Sequence, residues 1–130
     1  MIYIKKNKVN FPVVTVTEKT TIPTPYYLMR LTSKDTLEEK ILRLGPDVGL
    51  NPVRYNMFEI TESTSDDLDN GVINLNAGAE YNYVIHQTPY ASGNTSNLLG
   101  EVVERGLLTV EGGEVNNKII TDNDTIKVFE

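Results

Sequence analysis

Cysteine and tryptophan are both missing from this 130-residue chain, and histidine occurs once. Without cysteine there are no disulfides and no thiol chemistry, so the core must hold by packing. A closed zinc site would need carboxylates for most of its ligands, an uncommon set. No apolar run approaches the roughly 20 residues of a membrane-spanning helix. Met1-Ile-Tyr-Ile-Lys-Lys lacks the charged-then-apolar order of a secretory leader, so a protein made and used without secretion is expected. Basic residues are few as well: 12 Lys and Arg stand against 18 Asp and Glu, a net charge of −6. Gripping phosphates needs clustered Lys and Arg, so no nucleic-acid partner is expected. The one basic group, Lys5, Lys6 and Lys8, reads as charge flanking an edge strand.

What is present is β-type sequence. Hydrophobic residues make up 39% and charged residues 23%, too apolar for general disorder and ordinary for one domain with a modest core. Short β-rich runs separated by turn residues recur along the whole chain, the pattern of a sandwich or barrel. The runs are Ile2–Lys6, Val13–Thr17 behind Pro12, Tyr26–Ser33 behind Pro23 and Pro25, Arg54–Thr61, Val72–Asn76, Glu80–Thr88, a long strand within Leu98–Val110, Lys118–Ile120 and Thr125–Phe129. Thr36–Leu44 admits two readings. Thr36 and Glu39 make a capping box with Leu37, Ile41 and Leu44 at helical spacing, yet Lys34-Asp35 equally suits a hairpin, and its strand neighbours favour a strand. One domain over residues 1–130 is expected, its core at 12–111, with extra terminal strands at 1–8 and 117–130. Those strands lie outside the roughly seven that a sandwich needs, and one of them is expected to reach an adjacent protein.

Leu75-Asn76-Ala77-Gly78-Ala79-Glu80-Tyr81 has the spacing of a tyrosine corner, where a strand crosses between sheets. Tyr81 would pack its ring in the core and turn its hydroxyl back to the upstream backbone. Leu75 would fill the same corner, and Gly78 would allow the tight turn. From Leu75 to Ile85 the chain resembles fibronectin type III and related domains, with Ala77 where that pattern usually has Pro. The resemblance implies an all-β, immunoglobulin/fibronectin-like β-sandwich; a small barrel or jelly roll is the alternative. Tyr81, Tyr83 and Ile85 would then face one side of their strand, with Asn82, Val84 and His86 on the other.

Candidate chemistry is thin. His86 has no nucleophile or second ligand at a useful spacing and reads as a surface or rim residue. Asp66-Asp67-Leu68-Asp69-Asn70-Gly71 and Asp122-Asn123-Asp124 lack the distal bidentate Glu of a calcium loop, and turn formation explains both. Gly-rich phosphate loops are absent, and Asn94-Thr95-Ser96 is a glycosylation sequon without a secretory signal. No catalytic, cofactor-binding or metal-binding residue is therefore expected, and no enzyme. Binding is better sought in the loop Pro89–Asn97, at Tyr90 and Asn94.

Taken in order, four segments carry a second resemblance: Tyr26-Tyr27-Leu28-Met29-Arg30-Leu31-Thr32-Ser33; Arg54-Tyr55-Asn56-Met57-Phe58-Glu59-Ile60-Thr61; Asn76-Ala77-Gly78 leading into Tyr81-Asn82-Tyr83-Val84-Ile85; and Leu98–Leu108. Over most of Tyr26–Val110 the chain is similar to small virion proteins of tailed bacteriophages of Bacteroidota, crAss-like phages included. The resemblance implies a structural part of the neck, tail collar or capsid exterior. Its implied partners are other virion proteins (portal, neck, tail or capsid) in symmetric multiple copies, with no nucleic acid and no membrane. A carbohydrate- or ligand-binding module of a surface protein is the alternative, with Tyr90 holding the ligand.

Overall fold

Alternation in Tyr26–Ser33 decides the centre of the fold. Met29, Leu31 and Ser33 are buried on one side of this strand, so it needs neighbours on both edges and a cover over that face. The computed structural model, which describes residues 1–50 and 54–112, supplies both. Strand β4 (Tyr26–Ser33) lies between β5 (Glu39–Leu44) and β9 (Glu80–Thr88), antiparallel to each, with Met29 opposite Leu42 and Ile85. Strand β10 (Val102–Val110) follows β9, and β1 (Ile2–Ile4) adds in parallel, giving the order β1-β10-β9-β4-β5.

The remaining strands are short: β2 (Val9–Asn10), β3 (Val13–Val14), β6 (Asn56–Met57), β7 (Ile60–Glu62) and β8 (Val72–Ile73). Val9 and Asn10 oppose Thr61 and Ile60, while Val13 and Val14 oppose Met57 and Asn56. Both pairings keep one register, and the Phe58 N–H donates to the Pro12 carbonyl between them. Residues 9–14 therefore run as one line against 56–62. The ladder thins at Pro12, which has no N–H to return. Inward residues of both layers (Met29, Leu31, Leu42, Tyr83 and Ile85 with Val14, Phe58, Ile60, Ile73 and Leu75) form one core. The protein is all-β, built of several sheets.

Several expectations change. Ile2–Ile4 is no free arm: Ile2 and Ile4 alternate into the core opposite Leu108 and Val110, so the core begins at residue 2 rather than 12. The open edge of β10 needed a partner, and the period-2 pattern of Ile2-Tyr3-Ile4 fits it. Lys6 is no edge guard either. Its Nζ lies 2.6 Å from Glu62 Oε2, a side chain with no exposure, and donates to the Leu75 carbonyl at 2.7 Å. Glu62 also accepts the N–H groups of Asn7 and Leu75, which pins the β1–β2 turn to the second layer.

Thr36–Leu44 resolves as a turn and then β5. Leu37 takes φ 63° and stands exposed, so the helical spacing was incidental. Elsewhere the strands are shorter than the runs suggest. Val13–Thr17 ends at Val14 and Val72–Asn76 ends at Ile73, while the long strand expected within Leu98–Val110 is β10, preceded by a 3₁₀ turn at Ser96–Leu98. The expected strands Lys118–Ile120 and Thr125–Phe129, the turn at Asp122–Asp124 and the whole 117–130 extension lie outside the described residues.

Candidate interaction site

The corner residues come together as a structural unit. Tyr81 is buried, and its hydroxyl accepts the Asn76 N–H at 2.9 Å, five residues upstream. Leu75 is buried in the same cluster, and Gly78 turns with φ +73°, a conformation open to glycine at little cost. The next inward residue, Tyr83, donates its hydroxyl to Glu104 at 3.0 Å. Burial, then the Glu104 hydrogen bond and charge, push the Tyr83 phenol well above its ordinary value. Both tyrosines serve the core.

His86 departs from expectation. It is buried rather than at the rim, because residues 89–100 fold back over this end of the sheet, bringing the Gly100 carbonyl to His86 and the Tyr90 and Gly93 carbonyls to Arg43. His86 Nδ1 lies 2.9 Å from the Gly100 carbonyl, which can only accept, so Nδ1 carries the proton. Nε2 is buried with no hydrogen-bond partner among the described residues. Beside it, Gln87 accepts from the Thr21 N–H and donates to Thr21 Oγ1 and Glu101, tying the segment before β4 to the end of β9.

The loop over this end is held by a residue the sequence reading passed over. Arg43 Nε donates to Asp69 Oδ1 and to the Gly93 carbonyl, each at 3.1 Å. Its Nη1 donates to the Tyr90 carbonyl at 3.0 Å, and Nη2 also reaches Gly93. The Gly93 N–H returns to Asp69 Oδ1 at 2.9 Å, closing the ring. The signal was present: Arg43 is the one charge between Leu42 and Leu44, both buried. Asp69, read as a turn former, anchors this network. Held so, the loop shows solvent the Tyr90 side chain, 56% exposed, while Asn94 is half-buried.

Between this loop and the second layer lies a cavity of ≈ 640 Å³. Pro25, Tyr26, Tyr27, Leu44, Pro46, Phe58 and Ala91 give it apolar walls; Tyr27 and Phe58 meet edge to face with centroids 5.6 Å apart. Tyr90 is not among the walls; its neighbour Ala91 is. The polar lining groups are committed elsewhere. Asp47 accepts from the N–H groups of Gly49 and Met57 and from Asn56 Nδ2. Partial burial pushes the Asp47 carboxyl up, and those three hydrogen bonds outweigh it, holding it below the usual carboxylate value. Asn56 Oδ1 accepts the Val16 N–H, and Arg43 is spent on the loop.

Two acids of the Asp66–Gly71 turn have comparable local duties. Asp66 accepts the Asn74 N–H and pairs with Lys40 at 3.0 Å, and Asp67 accepts from Asn70. Among the described residues no three His, Asp or Glu side chains gather as a metal ligand set. No helix among them is long and apolar enough to cross a membrane. Comparison with protein-family models, curated proteins and solved structures returned no match.

Proposed function

We propose that this chain is a structural protein of a tailed bacteriophage particle, in the neck, tail collar or capsid exterior, that works through protein contacts and catalyses nothing. One observation carries the protein-contact reading. Polar side chains converge at the loop end of the fold, yet Arg43, Asp47, Asn56 and Asp69 are all spent fixing main chain, which leaves a stiff, preformed surface. A net charge of −6 favours protein partners over nucleic acid. The virion placement draws on the resemblance over Tyr26–Val110. An immunoglobulin/fibronectin-like sandwich is the matching architecture. The sheet order β10-β9-β4-β5 parallels the G-F-C-C′ sheet of variable-type domains, with the corner at the head of the penultimate strand.

Mass spectrometry of purified particles whose genome encodes this chain should find it in fixed ratio to the portal protein. Its presence only in the soluble lysate overturns the virion reading.

The cavity favours a second reading, a ligand-binding module, since aromatic walls of this size suit a sugar ring or other small ligand. Under it, a panel of glycans should include one that raises the melting temperature, and Tyr26→Ala should abolish the rise.

A further inference from the structure

Residues 9–14 form an edge with an unusual combination of features. Val9, Phe11 and Val13 are each about half exposed, at 49%, 51% and 53%, while Asn10 and Val14 between and beyond them are buried. The three side chains thus share the outer face of the second layer. Met57, opposite Val13, extends this face toward the exposed Val48, whose N–H donates to the Met57 carbonyl.

The main chain has a parity of its own. Lys8 and Pro12 give their carbonyls to the N–H groups of Glu62 and Phe58, so the even positions bond inward to 56–62. In an antiparallel ladder the alternate residues then point their N–H and C=O groups the other way. For Val9, Phe11 and Val13 that is the open edge, where no strand among the described residues pairs. Proline on an edge normally removes an outward donor. Pro12 does not, because its missing N–H falls on the inner, paired side.

The outward residues read the same in both directions, Val9, Phe11, Val13, while Asn10 and Pro12 between them bond inward. We propose that this edge pairs with the same edge of a second copy, antiparallel about a two-fold axis at Phe11. That pairing sets Val9 against the other copy's Val13 and Phe11 against its counterpart. All three outward residues become hydrogen-bonded pairs, each exchanging two main-chain bonds. Three cross-strand apolar contacts form on one face, with an aromatic pair on the axis. No charged residue lies between Val9 and Thr17, so no like charges meet across the axis. A contact of one strand per copy is small, so the dimer is concentration-dependent. The inference stands apart from the virion reading and holds for any protein-binding role.

Sedimentation velocity on the full chain over a concentration series tests it. Wild type should shift toward dimer as concentration rises. Phe11→Glu and Phe11→Lys each place like charges at the axis and should raise the dissociation constant about tenfold or more. Mixing the two variants sets Glu against Lys and should restore association. Val13→Pro should weaken pairing without any change of charge, by removing an outward donor. Melting temperatures should stay near wild type for the Phe11 variants, since that side chain is half exposed. Wild type remaining monomeric throughout overturns the proposal. So does a dimer that survives both single Phe11 variants, or a mixture that fails to reassociate.

Discussion

At Tyr81 one hydroxyl closes the corner while the ring fills the core, so the two contributions separate by mutation. Tyr81→Phe keeps the ring and loses only the acceptor of the Asn76 N–H, which should cost about 0.5–1.5 kcal/mol in urea unfolding. An unchanged midpoint would show that the corner bond contributes nothing. Gly100 is constrained more severely. Its N–H donates to the Gln87 carbonyl, and a Cβ there would sit 2.3 Å from that same oxygen, so Gly100→Ala must displace backbone. The expected loss is about 1–3 kcal/mol, read by the same measurement. The corner was legible because its residues are close in sequence. Nothing local marked Gly100 or His86, which meet across 14 residues only when the loop folds back.

Among the elements, the Pro89–Asn97 loop and β1 show what local pattern omits. The loop was recognisable from its composition, but its anchor is not in it. Arg43 lies 47 and 50 residues away from the carbonyls it holds. Arg43→Ala should release the loop, so amide exchange across 89–97 should quicken several-fold while β4 and β9 keep their protection. Uniform acceleration of both strands would instead make Arg43 a support of the whole sheet. Strand β1 was legible as a strand, but its place was not. An alternating Ile-Tyr-Ile suits any open edge, and pairing with β10 is a long-range choice. Ile4 has no exposure, so Ile4→Ala should cost about 2–5 kcal/mol in thermal or urea unfolding, as a core residue would and a free arm would not.

For the molecule as a whole, acid should act through its carboxylates. Burial raises and hydrogen bonds more than offset it at Asp47, Glu62 and Asp66, so all three titrate below their ordinary values of 3.8, 4.5 and 3.8. A lowered folded value means stability that is fully present above the ordinary value and lost as pH falls through the folded one. The melting temperature should therefore hold steady above the ordinary carboxylate range and decline below it. Glu62→Gln should start lower and decline less steeply. A wild-type curve that stays flat into that acid range would remove these carboxylates from the account of stability. By itself, the sequence determined the all-β class, most strand positions, the corner and the exposure of Tyr90, because two-residue alternation and turn chemistry act over a few neighbouring residues. Tertiary structure alone decided the docking of β1, the burial of His86 and Glu62, the Arg43 anchor and the outward parity of Val9, Phe11 and Val13. Each of these depends on which distant segment comes to lie opposite, and long-range pairing leaves no local pattern in the chain.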